Sequence, residues 1–193
     1  MLRNNRVILI LFSCLCFSIS AECRALDSTR SVSYFNSFLT GALLGSPSSG
    51  IGFSASTIHG IRWKKASIGL GFGFDRFEEW STIPVVIDAS YKLLHWKNTS
   101  AGIGVDLGYA HPRHVDSEDD LLRYEEKTGK VIHPFITYEI RANDWMIYIR
   151  TGFKFQEIKY AEYPRWWVGT PTYSSDVKRD INRFSMSIGF GWH

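Results

Sequence analysis

Three stretches of this chain alternate large apolar residues with glycine, serine or a lone charge, and that pattern leaves few folds open. Ala66, Ile68, Leu70, Phe72 and Phe74 alternate with Ser67, Gly69, Gly71, Gly73 and Asp75. Ala101, Ile103, Val105, Leu107 and Tyr109 alternate with Gly102, Gly104, Asp106, Gly108 and Ala110. Phe184, Met186, Ile188, Phe190 and Trp192 do the same with Arg183, Ser185, Ser187, Gly189 and Gly191. A period of two is the signature of a strand with two unlike faces. In a soluble sandwich the wet face carries bulky polar residues; here it is small. A narrow barrel in lipid requires this arrangement, with its large apolar groups outward and small residues and a few charges crowded inside. A lipocalin-like soluble barrel uses similar strands with the opposite facing. The N-terminal segment and the terminal aromatics weigh for the membrane form.

Eight strands are expected, near 33–44, 50–63, 66–76, 83–95, 100–110, 130–142, 144–157 and 181–192. Most reach the ~9–11 residues that a tilted transmembrane strand needs. Lys64-Lys65, Lys97-Asn98-Thr99 and Asn143-Asp144 read as tight turns, whereas Gly45–Ser49, Phe77–Thr82, His111–Gly129 and Lys159–Asp180 read as long loops. Short turns on one side and long loops on the other are the habit of an outer-membrane barrel with both termini in the periplasm. An even strand count lets the sheet close and removes its free edges. The fold class expected is all-β: an eight-stranded antiparallel up-and-down transmembrane barrel.

Residues 1–25 read as a secretory signal peptide and 26–193 as the barrel domain. Arg3 and Arg6 precede an apolar run from Val7 to Ile19, too short to span a bilayer, and small residues follow. Cys14, Cys16 and Cys23 all lie in this segment, so cleavage after Ala25 removes every thiol, and with it any disulfide framework or thiolate metal site. Three of the 22 basic residues and one of the 19 acidic ones fall there too. The remainder carries 19 bases against 18 acids, and a nearly neutral chain loses the main support for nucleic-acid binding.

Gly69-Leu70-Gly71-Phe72-Gly73-Phe74-Asp75-Arg76, followed by Ile83-Pro84-Val85-Val86-Ile87-Asp88, resembles the small outer-membrane β-barrel proteins of the OmpA/OmpX-like type. Asp106-Leu107-Gly108-Tyr109 and Ile188-Gly189-Phe190-Gly191-Trp192 carry the same likeness, which covers nearly the whole of 26–193. The resemblance implies the outer membrane of a Gram-negative bacterium, outer-membrane lipid and the barrel-assembly machinery as partners, and a scaffold or surface role. Such chains often close on an aromatic residue that the insertion machinery reads; here Trp192 is penultimate.

Strand parity points Asp88, Lys92, Asp106, Glu139, Arg141, Arg150 and Lys154 inward. An eight-stranded barrel is about filled by its own side chains, so an ion-pair plug is expected rather than a path for protons or ions. The expected cluster is Asp88, Asp106 and Arg150, joined by Lys154. Tyr163, Arg165, Trp166 and Trp167 in the last long loop suit a surface for carbohydrate stacking or protein contact, or else a girdle at the interface. His111 and His114 precede Asp116, Glu118, Asp119 and Asp120, but their spacing imposes no coordination geometry, and a solvated loop is expected there. Thr57 and His59 share the outward face and form the one hint of a lipid-directed hydrolase, without a carboxylate to orient the histidine. The reading is a barrel without a catalytic site, metal or cofactor, whose external ligand the sequence does not name.

Overall fold

The computed structural model describes residues 32–45, 50–77, 80–114, 122–164 and 175–192, and residues 1–31 lie outside it. Nine strands follow in order: β1 (Val32–Leu44), β2 (Ile51–Trp63), β3 (Ala66–Arg76), β4 (Trp80–His95), β5 (Thr99–His114), β6 (Leu122–Lys127), β7 (Gly129–Ala142), β8 (Trp145–Pro164) and β9 (Ser175–Trp192). Eight of them form a closed antiparallel barrel in which β1 pairs with both β2 and β9. Closure matters because a strand crossing lipid must satisfy every backbone donor and acceptor inside the sheet.

The stagger follows from the register. Trp63 on β2 pairs with Ala66, which pairs in turn with Tyr91, Ile103, Ile136, Thr151, Met186, Ala42 and finally Phe53, again on β2. One circuit therefore climbs from residue 63 to residue 53. Eight strands with such a shear tilt by roughly 35–45° and leave an interior just wide enough to fill with side chains.

Both two-residue turns begin on left-handed backbone, at Lys64 (φ 54°) and Asn143 (φ 58°). Asparagine tolerates that region, whereas lysine is an uncommon choice. A bulge between Lys92 and Leu94 adds a residue to β4 before its turn.

The facing is as the alternation requires. Leu70, Ile87, Ile103, Ile136, Phe153 and Ile188 all stand exposed on the outer wall. A continuous exposed apolar wall is the surface of a barrel that spans a bilayer. The band has clear edges. On β8 it runs from Trp145 through Ile147, Ile149, Phe153 and Phe155, then stops at Glu157; β3 stops at Arg76 and β5 at His111. At the short-turn end Trp63, Trp96 and Trp145 are exposed, as an interfacial aromatic girdle would be.

Two expectations are corrected. The ladder does not end with the apolar band: β4 starts at Trp80, β5 runs to His114, β8 to Pro164, and β9 starts at Ser175. The segments 77–82, 111–129 and 159–180 are thus partly strand, because a ladder persists as long as its neighbour does, whatever the hydropathy. A ninth strand, β6, lies in the expected loop after β5. β7 pairs with β8 only as far as Val131 and Gln156, and β6 takes the edge of β8 above that, from Lys127 opposite Lys159 to Leu122 opposite Pro164.

Candidate functional site in the barrel lumen

The inward faces supply small residues where the interior must admit a large one. A Cβ on Gly104 would overlap the Phe135 ring. With glycine there, the Phe135 ring lies over the neighbouring strand β5, and the Arg150 guanidinium lies 4.2 Å from its centroid. A Cβ on Gly71 would come within 2.8 Å of Val86 Cγ2, so that position also needs its bare backbone.

Arg150 is buried and donates through Nη1 to Asp88 Oδ2 at 2.8 Å, with Asp106 Oδ1 at 4.0 Å from the same nitrogen. Asp88 and Asp106 are register partners on β4 and β5, so both carboxylates arrive at one level. Lys154 does not join them. It pairs with Asp75 on β3, which also accepts from Ser54 Oγ at 2.7 Å. The second partner of Asp106 is His133, whose Nδ1 lies 2.8 Å from Oδ2. On its other side His133 Nε2 is 2.6 Å from Ser185 Oγ. The centre of the lumen thus holds Arg150 between Asp88 and Asp106, Asp106 also meeting His133, and a separate pair of Asp75 with Lys154.

Asp75 and His133 were absent from the expected cluster. Parity could have found both, since Asp75 follows the outward Phe74 and His133 lies between the outward Ile132 and Pro134. A cavity of about 50 Å³ adjoins the cluster, lined by Asp106, His133, Arg150, Lys154, Ser185 and Ser187 among others. That volume accommodates a few waters.

Towards the short-turn end, Glu139 meets Lys92 at 2.5 Å and Arg62 at 3.3 Å, and accepts from Ser100 Oγ at 3.3 Å. Phe35, Leu39, Ile58, Met146 and Tyr148 form an apolar cluster at this level. Towards the other end, Gln156 donates to Thr82 Oγ1 at 2.7 Å, and Leu43, Phe77, Trp80, Ile158 and Tyr160 form a second cluster. Trp80 and Tyr160 stack at 4.6 Å, and His114 packs on Tyr124 of β6 at 4.1 Å. His111 Nε2 lies 3.5 Å from Glu126 Oε2. The imidazoles at the end of β5 thus meet aromatic and β6 groups, while 115–121 lie outside the described residues.

On the outer wall, Thr57 Oγ1 lies 3.2 Å from His59 Nε2. The other ring nitrogen is approached by Tyr34 Oη at 2.7 Å and Asn36 Nδ2 at 3.2 Å. Among the described residues no carboxylate approaches either ring nitrogen to orient the imidazole. Tyr163 lies on β8 opposite Arg123, while Arg165, Trp166 and Trp167 lie outside the described residues.

A closed eight-stranded antiparallel barrel with an apolar outer wall and ion pairs inside has the fold of the small outer-membrane β-barrels. Solved structures agree. Neisserial surface protein A superposes with a TM-score of 0.56 at 12% identity, over 84% of this chain and 99% of that one. OprG from Pseudomonas aeruginosa gives 0.53 at 8% identity, over 82% and 94%. The N-terminal β-barrel domain of Pseudomonas aeruginosa OprF gives 0.51 at 7% identity, over 84% and 97%. No family model matches the chain, and no curated protein matches its sequence. The likeness is therefore one of fold.

Proposed function

We propose that this protein is a non-enzymatic outer-membrane barrel that passes no solute and acts through the sheet it raises above the membrane. One observation carries this reading: β4, β5, β8 and β9 continue past the apolar band and, with β6, enclose an aromatic core around Trp80. A barrel that served only as a membrane anchor would not need an ordered extension of that kind. Beneath it the lumen is occupied by paired charges and lies between two apolar clusters, which supports a plug rather than a pore.

The hydrolase reading has less support. Ser185, His133 and Asp106 stand in the order of a nucleophile, base and orienting acid. They face a cavity with room for a few waters, which would not admit an acyl substrate. His59 on the outer wall meets hydroxyls and an amide, with no carboxylate among the described residues to orient it as a general base.

The test is a barrel in which residues 115–128 and 159–180, which include β6 and the raised ends of β8 and β9, are replaced by short linkers, expressed on whole cells. The variant is expected to keep its heat-dependent position on gels while losing adhesion to surface ligands or host-type glycans that the intact protein supports. Stepwise conductance by the intact protein in planar bilayers would overturn the plug. A change in lipid A acylation that depends on His59 or Ser185 would overturn the non-enzymatic reading.

A further inference from the structure

The lumen charges are not matched everywhere. At the centre Arg150 and Lys154 lie among three carboxylates, those of Asp75, Asp88 and Asp106. At the mouth on the short-turn side, Arg62 and Lys92 share the single carboxylate of Glu139, and Ser100 also donates to it. Arg141 follows Glu139 by two residues on the same inward parity of β7 and is exposed at the rim. Asp144, in the adjoining turn, is exposed.

Arg62 is the under-used member of this group. It is 8% exposed, so most of its donors are out of reach of bulk solvent. Nη2 reaches Glu139 at the long distance of 3.3 Å, and Nη1 points at the Met146 thioether at 3.4 Å, a weak acceptor. Nε is sealed from solvent and has no hydrogen-bond acceptor among the described residues. The guanidinium lies over the Phe35 ring, 5.3 Å from its carbon to the centroid, and also meets the Tyr148 hydroxyl. A buried guanidinium with a free edge, lying over an aromatic face and next to a second cation, has the form of an oxyanion receptor.

We infer that the periplasmic mouth of the lumen is an oxyanion site, in which Arg62, Lys92 and Arg141 take up a phosphate-type group presented from the periplasmic side. A phosphate has oxygens enough to accept from the free edge of Arg62, from Lys92 and from Arg141 at once, and its charge balances the surplus cation. The same chemistry has two sources, free phosphate and the headgroup of an inner-leaflet phospholipid. Lys64 and Lys65, in the turn two residues beyond Arg62, lie where such headgroups would gather. The inference uses the membrane orientation assigned above but is independent of any role for the extracellular sheet.

The experiment is calorimetric titration of the full-length mature chain, folded in zwitterionic detergent, with inorganic phosphate against chloride at matched ionic strength. Saturable binding at one site is expected. Arg62→Gln should weaken it by about tenfold or more, the size of one lost charge-assisted hydrogen bond. Arg183→Gln is the control, since that cation serves Gly50 O near the opposite end. The heat-dependent gel position reports whether each variant is folded. Should Arg62→Gln not fold, Arg141→Gln at the exposed rim and Lys92→Gln are each expected to weaken binding. Absence of saturable binding by the wild type would overturn the site, as would equal affinity in the folded mouth variants. Nanodiscs of phosphatidylglycerol separate the sources. Headgroup occupancy would block free phosphate and shift a fraction of the lipid ³¹P signal in the wild type but not in the mouth variants. Undiminished phosphate binding in those nanodiscs would assign the site to the free ion.

Discussion

Arg150 Nη1 lies 2.8 Å from Asp88 Oδ2 in a place where neither side chain is more than 5% exposed. Both charges have left water, and each depends on the other for the hydration it lost. Asp106, on the neighbouring strand, stands 4.0 Å from the same guanidinium nitrogen, so the arginine serves two carboxylates at one level. Breaking such a pair differs from replacing it, since a single removal strands a charge in a poor dielectric.

Arg150→Ala should therefore destabilise the barrel by about 3–5 kcal/mol, the cost of a buried charge without its partner. The double variant Asp88→Asn/Arg150→Met should cost less than Arg150→Met made alone. Urea unfolding in lipid, followed by loss of the heat-modifiable band, measures both. Wild-type stability in Arg150→Ala would remove the pair from any account of the plug.

Leu70 stands on the outer wall within the apolar band. Leu70→Arg should impair insertion, as a cation near the mid-plane costs ~2–4 kcal/mol in a barrel. Ser187→Ala, which alters only the lining of the small lumen cavity, should insert normally. Outer-membrane yield and heat-modifiability report both, and equal tolerance of the two would contradict the assigned facing.

Trp80 is buried within the sheet that continues past the apolar band and touches His114, Tyr124 and Tyr160. Trp80→Ala should cost about 3–5 kcal/mol of local stability. Because this core lies above the band, the membrane half should still insert. The expected outcome is faster protease cleavage near β6 in a protein that keeps its heat-dependent mobility; loss of insertion would show that the two halves fold as one unit.

Glu157 is the first charge beyond the band on β8. Hydrogen bonds from Lys178 and Lys159 hold its carboxyl well below the usual range, at about 2. A depressed folded value means that the contribution is complete above the unfolded carboxyl value near 4.5 and fades as pH falls from there towards 2. Carboxyl ¹³C NMR should place the Glu157 titration near the bottom of that window, and Lys178→Met should move it upward. An ordinary glutamate titration in the wild type would dissolve the cluster.

The membrane half of this molecule was legible residue by residue. Facing is a local property of a strand, so Leu70 outward and Asp88, Asp106, Arg150 and Lys154 inward follow from counting by twos. The site was legible in part for the same reason. Asp75 and His133 obey that parity as well, but a short list of strong charges passed over an aspartate at a strand end and an imidazole beside a proline.

What the sequence alone determined is therefore the two faces of each strand and, through the Gly-rich inner face, the narrowness of the barrel. Only the tertiary structure decided which inward groups meet. Asp88, Asp106 and Arg150 come from strands β4, β5 and β8, and the ten-residue climb of one circuit sets their heights, lifting Lys154 away to Asp75. Pairing across a lumen depends on stagger and side-chain reach, which no stretch of sequence encodes by itself. β6 has the same origin. Leu122–Lys127 reads as a polar loop, and it becomes a strand because β8 outruns β7 and offers an open edge.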